Sequence, residues 1–103
     1  MEKLVRDKIP EIIKSRWEDP DFYIANDLEY KIELFKKLLE ESLEVKKSNN
    51  KEELIEELAD VIEVINSICK NSWISMEDIE KARLKKLDER WWFDDKIILE
   101  IDD

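Results

Sequence analysis

The chain has no glycine and no histidine. Because glycine supplies positive-φ positions at no steric cost, its absence argues against sandwiches, barrels and Gly-rich phosphate loops. It favours long helices that are joined by short turns and capped with Asn and Ser. The absence of histidine excludes histidine general bases, histidine-bearing zinc sites and Ser-His-Asp catalysis.

Cysteine and long apolar segments are also scarce. The single cysteine, Cys69, cannot form an internal disulfide, and its place among apolar helical positions predicts a core thiol. No apolar run is long enough to span a bilayer, and no signal-peptide pattern is present. We therefore expect a soluble, cytoplasmic protein that has no membrane partner.

Length and charge narrow the function classes further. The 103 residues, 43% apolar and 45% charged, predict a single domain over 1–103. A net charge of −10 argues against nucleic-acid binding, which depends on neutralising phosphates with Lys and Arg. Small nucleotides are not excluded, because cations cluster locally in segments 3–8 and 81–90.

Capping signals and apolar periodicity predict four helices and an all-α fold. Pro10 suits the first turn of a helix that runs to about residue 17. Asn26, Asn50 and Ser75 each stand three positions before an acidic residue, which is the spacing of a capping box. They predict three longer helices that end near residues 47, 70 and 90, and together the four helices predict a bundle.

The C-terminal segment and the tryptophans carry separate expectations. Segment 96–101 is apolar and rich in β-branched residues, which predicts a short strand or a packed extended arm. Aromatic residues of this size belong in a core or at a subunit interface, with base stacking as the minority alternative. The four tryptophans are Trp17, Trp73, Trp91 and Trp92.

Two acidic pairs have the spacing that puts side chains on one side of a helix. Glu41 and Glu44 are three apart, as are Glu57 and Asp60. Two antiparallel helices joined by the polar break 48–50 can bring both pairs together. Four carboxylates around one point repel each other unless a cation lies among them, and such oxygen ligands suit Mg²⁺ or Mn²⁺.

Glu57 is the most informative of these acids. At about 100° per residue it falls inside the apolar arc of its helix, between Val64 and Ile68, with Asp60 at the edge. A carboxylate on a core-facing arc is costly unless it is paired or bound to a metal. The alternative is a chance spacing among 28 acidic residues, with each acid solvated or paired with a lysine.

These acids lie in segments that resemble a known family. Segments 37–44 (KLLEESLE) and 56–61 (EELADV) are similar to the E-x-x-E and E-x-x-D motifs of the MazG-like all-α nucleoside triphosphate pyrophosphohydrolases. The spacer between Glu44 and Glu57 fits the family range. Segment 3–13 (KLVRDKIPEII) resembles the start of a small single-domain subgroup, phosphoribosyl-ATP pyrophosphohydrolase-like.

The C-terminal segment departs from that subgroup. Its members tend to end in Arg-Gly-Gly-Phe, where this chain has Arg90-Trp91-Trp92-Phe93. Two tryptophans in place of two glycines remove backbone freedom and add bulk near the expected substrate site. A non-catalytic acidic binding module that has lost turnover therefore remains an alternative function.

The resemblance implies metal-assisted hydrolysis of a nucleoside triphosphate to a monophosphate and pyrophosphate. Mg²⁺, or Mn²⁺ in its place, would be the cofactor. Glu40 lies one turn from Glu44 and is our candidate for the base that orients the attacking water, with a solvated surface acid as the alternative. The implied metal ligands are Glu41, Glu44, Glu57 and Asp60. A specific phosphoribosyl-ATP pyrophosphohydrolase of histidine synthesis is a second alternative.

Basic residues in the matching segments are candidates for substrate binding, because Arg and Lys bind phosphate, and the resemblance carries over two more from the family's basic C-terminal segment. Surface ion pairs with the acidic chain are the alternative for each of them. The resemblance also implies a homodimer or a higher homo-oligomer. The substrate-binding candidates are Arg6, Lys8, Lys37, Lys86 and Arg90.

Overall fold

The computed structural model describes residues 2–102 and contains four helices in that range, with no strand. This confirms the all-α, four-helix prediction. No helix in the described range combines the length and hydropathy needed to cross a bilayer. The helices are α1 (Ile9–Ser15), α2 (Asp27–Lys47), α3 (Lys51–Asn71) and α4 (Met76–Arg90).

The three predicted N-caps form hydrogen bonds at the predicted positions. The Asn26 side chain accepts from the Glu29 backbone N–H at 2.9 Å, and Asn50 accepts from Glu53 at the same distance. Ser75 forms a complete capping box with Asp78. These contacts satisfy backbone donors that have no partner inside the helix, so local sequence is sufficient to start α2, α3 and α4.

Helices α2 and α3 form a hairpin and make the one extensive helix–helix contact in residues 2–102. The short connection 48–50 makes the two helices antiparallel neighbours. The core lies between them, where Leu34, Val64 and Cys69 are 3%, 8% and 4% exposed. The prediction of a core thiol at Cys69 is thus confirmed.

Helix α4 and the residues after it are exposed. Helix α4 buries no residue, and the apolar side chains of segment 96–101 are exposed, so neither the predicted strand nor a packed arm forms. The four tryptophans are also exposed, which corrects their assignment to a core within the chain. The radius of gyration is 17.7 Å, whereas a compact chain of about 100 residues has about 13 Å.

Candidate metal centre

Three carboxylates from the two hairpin helices converge. Glu41 comes from α2, whereas Glu57 and Asp60 come from successive turns of α3. One oxygen of each lies within 4.8 Å of an oxygen of the other two. The three-residue spacing places the two α3 acids on one side, and the antiparallel packing of the hairpin brings the α2 acid opposite them.

All three acids are partly buried, which makes their mutual repulsion stronger than at an open surface. The side chain of Glu41 is only 12% exposed. Partial burial raises the pKa of Glu57, and the negative charges of Asp60, Glu41 and Glu44 raise it further. Protonation or a bound cation therefore relieves a real electrostatic cost at this position.

Glu44 is the predicted ligand that lies outside this group of three. The carboxylates that come within 4.8 Å of one another belong to Glu41, Glu57 and Asp60. Glu44 is exposed on the next turn of α2, yet its charge still contributes to the raised pKa of Glu57. Its side chain is therefore close enough to act on the site electrostatically.

Cations from the N-terminal segment and from α2 lie against the acids. Arg6 donates from Nη2 to Oδ1 of Asp60 at 2.7 Å, across 54 positions of sequence. Lys37 Nζ lies 3.3 Å from a Glu41 carboxylate oxygen and 3.4 Å from one of Glu40. These pairs partly neutralise the cluster, and they place two of the five predicted substrate-binding cations at its edge.

The candidate base, Glu40, lies beside the cluster and contacts two lysines. Its Oε1 atom is 3.4 Å from Lys37 Nζ and 3.8 Å from Lys3 Nζ. The side chain is 38% exposed, so water reaches it. Lys3 thus forms a surface ion pair with Glu40, and the Glu40 carboxylate contacts two lysines.

The other three substrate-binding candidates form no ion pair with the three acids in residues 2–102. Lys8 is the N-terminal flanking residue of α1, is exposed, and forms no ion pair in the described part of the chain. Lys86 and Arg90 are exposed on α4, which makes no extensive contact with the hairpin. A role for these two residues at the same site requires either a movement of α4 or a second chain.

One positioning contact has no signal in the sequence. The Tyr23 hydroxyl lies 3.0 Å from a carboxylate oxygen of Glu2 and 2.6 Å from one of Glu29. Both hydrogen bonds raise the pKa of Tyr23. Tyr23 therefore links Glu2, which lies 21 residues earlier in the N-terminal segment that carries Arg6, to the first turn of α2.

The centre offers only oxygen ligands, flanked by guanidinium and ammonium groups. Carboxylate clusters of this kind bind hard divalent cations, and cations beside them attract phosphate groups. No protein-family model, characterised protein or solved structure matches this chain. The family resemblance accordingly depends on the motif residues alone, and the chemistry on the geometry of the site.

Proposed function

We propose that the chain is a Mg²⁺-dependent nucleotide pyrophosphohydrolase of the MazG-like type, acting in the cytoplasm. The observation that supports this most directly is the convergence of Glu41, Glu57 and Asp60 from two helices, with oxygens within 4.8 Å of one another. The same residues belong to the two acidic motifs that resemble the family.

The donor set fits Mg²⁺ or Mn²⁺. All three groups are carboxylates, and the described structure places no thiol or imidazole among them, which makes zinc a poor match. Glu44 is proposed as a further ligand, because its charge already acts on Glu57. A divalent metal held by these carboxylates would supply charge neutralisation for the phosphates and activation of water.

The residues around the cluster have separate roles in this proposal. Glu40 orients the attacking water as a general base, and its lysine contacts hold the carboxylate in place. Lys37 and Arg6 neutralise phosphate oxygens once the substrate arrives. Attack at either the α- or the β-phosphorus gives the same products, a nucleoside monophosphate and pyrophosphate.

We also propose that two hairpins pair through their outer apolar faces. Each α2 side chain in this stripe is three or four positions from the next and 48–70% exposed. A stripe of this length on a soluble protein marks an interface. Its α2 members are Leu28, Ile32, Phe35, Leu39 and Leu43, and its α3 members are Ile55, Leu58 and Ile62.

Pyrophosphate release tests the enzymatic proposal. The substrate panel contains the common ribo- and deoxyribonucleoside triphosphates together with phosphoribosyl-ATP, each with and without Mg²⁺. We expect metal-dependent release from the wild type, abolished in Glu57→Gln and retained in Glu63→Gln. Both substitutions remove one charge from α3, but Glu63 is exposed and outside the cluster.

Two other outcomes identify the alternatives. Selective cleavage of phosphoribosyl-ATP over ordinary triphosphates would identify the enzyme of histidine synthesis. No release from any substrate, with the wild type folded, would contradict the enzymatic proposal and favour an acidic binding module. Glu40→Gln separates the base from the ligands, since it should abolish turnover while Mg²⁺ binding persists.

Sedimentation equilibrium tests the pairing of hairpins. Leu39→Lys places a charge in the middle of the α2 stripe and should shift the protein toward monomer. Ile98→Lys is the matched control, because Ile98 is also apolar and exposed but lies in the C-terminal segment. A wild-type monomer, or equal dissociation by both variants, would contradict pairing through the hairpin face.

A further inference from the structure

The four tryptophans occupy positions where an indole ring has no packing role within the chain. Trp17 and Trp73 are 99% and 97% exposed, and Trp91 and Trp92 are 76% and 65% exposed. Tryptophan is normally highly buried, because its ring carries one of the largest apolar surfaces of any side chain. Four exposed tryptophans in a chain of this length therefore require an explanation other than packing.

Three of the four also have a backbone conformation that favours glycine. The φ angles of Trp17, Trp73 and Trp91 are 64°, 59° and 69°. A positive φ is uncommon for residues with a Cβ atom and is an outlier for bulky ones. Each of these residues comes at the C-terminal end of a helix, respectively α1, α3 and α4.

At the end of α3 the hydrogen bonds form a Schellman motif, in which glycine is the usual left-handed residue. Ile74 N–H donates to the Cys69 carbonyl at 2.9 Å, which is the outer bond of the motif. Trp73 N–H donates to the Lys70 carbonyl at 3.4 Å, which is the inner bond. Trp73 therefore stands at the position that glycine normally fills.

The end of α1 repeats this arrangement. Glu18 N–H donates to the Ile13 carbonyl at 3.4 Å, and Trp17 N–H donates to the Lys14 carbonyl at 3.0 Å. The left-handed position again holds a tryptophan. Two helices, α1 and α3, thus end in a Schellman motif with tryptophan at the position that glycine usually occupies. The pattern is therefore not confined to a single turn.

Trp91, at the end of α4, has a backbone conformation that is even less accessible to residues with a Cβ atom than those of Trp17 and Trp73. Its φ of 69° combines with a ψ of −162°, a region that is essentially restricted to glycine. Lys96 also has a positive φ, 58°, but its side chain is unbranched and it lies in a turn rather than at a helix end. Positive φ at a helix end is thus a property of the tryptophans.

We propose that residues 17, 73, 91 and 92 are glycine in the protein as its own cell makes it. The four positions would share a codon that this cell reads as glycine; UGA, for example, means tryptophan in some genetic codes and glycine in others. Composition supports the exchange, because the chain has four tryptophans and no glycine, whereas glycine averages about 7% of residues. Trp92 is included because one codon meaning applies to every such position.

The exchange changes the C-terminal half of the molecule more than the metal centre. Glycine at 91 and 92 gives the backbone more conformational freedom just after α4, and it removes two exposed indole rings from the same place. None of the four positions is among the three converging acids. The argument for the exchange therefore does not use the proposed activity, and glycine at 91 and 92 would remove the bulk expected near the substrate site.

Mass spectrometry of the protein from its source cells tests the proposal directly. We expect an intact mass lower than that of the tryptophan chain by four Trp-to-Gly differences, with glycine at all four positions in peptide maps. Tryptophan at the three positive-φ positions would overturn the proposal. Glycine at the other three positions with tryptophan at position 92 would contradict the claim that all four positions share one codon.

A recombinant series provides a second readout that does not depend on the source. Trp17→Gly and Trp73→Gly should each raise Tm by about 4–8 °C, the shift expected from relief of left-handed strain in a domain of this size. Trp73→Ala should raise it less, because alanine retains the penalty at positive φ. A lower Tm or a dissociated oligomer in the glycine variants would instead identify the rings as interface groups and overturn the proposal.

Discussion

Apolar and charged side chains are abundant both in the α2–α3 hairpin and in the C-terminal region, which comprises α4 and residues 91–102. Only the hairpin buries apolar side chains in a core and brings charged ones together in a cluster. The hairpin contains every buried residue of the described chain, namely Leu34, Val64 and Cys69. Helix α4 buries none and depends on local signals, a capping box and an ion pair between Glu80 and Arg83. Local signals therefore suffice for a helix, whereas a core needs a second apolar face in the same chain.

The pKa shifts of glutamate side chains also differ between the two regions. Partial burial and neighbouring acids raise the pKa of Glu57 in the hairpin. A hydrogen bond from Arg83 lowers the pKa of Glu80 on α4. Packing thus forces like charges together in one region, while exposed side chains in the other are free to find an opposite charge.

The largest expected effect is a loss of stability from the hairpin core. Leu34→Ala should cost about 2–5 kcal/mol of unfolding free energy, because Leu34 is 3% exposed. Leu84→Ala on α4, where Leu84 is 50% exposed, should change it by less than about 0.5 kcal/mol. Urea unfolding followed by circular dichroism measures both, and equal losses would show that α4 is packed in solution.

Removal of an N-cap should destabilise its own helix by a similar amount in both regions. It should lower the free energy of global unfolding only in the hairpin. Asn50→Ala should lower the global unfolding free energy by about 1 kcal/mol, since α3 is part of the core. Ser75→Ala should instead leave global stability unchanged and reduce amide-exchange protection in α4 by about fivefold. A global loss from Ser75→Ala would contradict independent behaviour of α4.

Removal of a cation should affect metal binding only where that cation contacts the acids. Arg6 pairs with Asp60 through side chains that are 61% and 39% exposed, so the pair is worth about 0.2–1 kcal/mol. Arg6→Ala should therefore strengthen Mg²⁺ binding without nucleotide by no more than about fivefold. Arg90→Ala, which removes no ion pair in residues 2–102, should leave calorimetric affinity unchanged, and equal effects would contradict the site geometry.

The smallest expected effects are opposite shifts of stability with pH in the metal-free protein. Glu57 has a raised folded-state pKa, so its stabilisation is complete below the unfolded pKa and is lost as pH rises through the folded one. Glu80 has a lowered pKa, so its stabilisation exists above the unfolded pKa and is lost as pH falls through the folded one.

Substitution by glutamine separates these two signs. Glu57→Gln should raise Tm slightly at neutral pH, whereas Glu80→Gln should slightly reduce the exchange protection of α4 there. Both effects should shrink at acidic pH, where the carboxyl groups are protonated. Melting and exchange profiles from acidic to neutral pH measure them, and a lower neutral-pH Tm for Glu57→Gln would contradict the repulsion described for the cluster.

Helix positions were predictable because their signals are local. Asn26, Asn50 and Ser75 cap helices at the expected residues, since each bond spans only three positions. The end of α1 was wrong by two residues, because Trp17 adopts a positive φ that periodicity does not reveal. The arm predicted over 96–101 failed because β-branched composition gives a strand only where another strand or surface receives it.

The candidate site was predictable in part for the same reason. The spacing of Glu57 and Asp60 puts them on one side of α3, and their closeness to Glu41 follows once the hairpin is assumed. The exclusion of Glu44 from the closest group depends on the rotation of α2 about its axis, which packing decides. The Tyr23 contacts with Glu2 and Glu29 also lie beyond any local pattern.

The amino-acid sequence by itself determined the helices, their caps and the acidic faces, because these depend on interactions within one or two turns. Only the tertiary structure decided which three acids meet, that Arg6 reaches Asp60 across 54 positions, and which apolar stripe remains uncovered. The physical reason is that α2 carries apolar side chains on more than one side, since Leu34 is buried while Phe35 and Leu39 are exposed. Packing against α3 selects one face of α2, and that choice orients every other side chain on it.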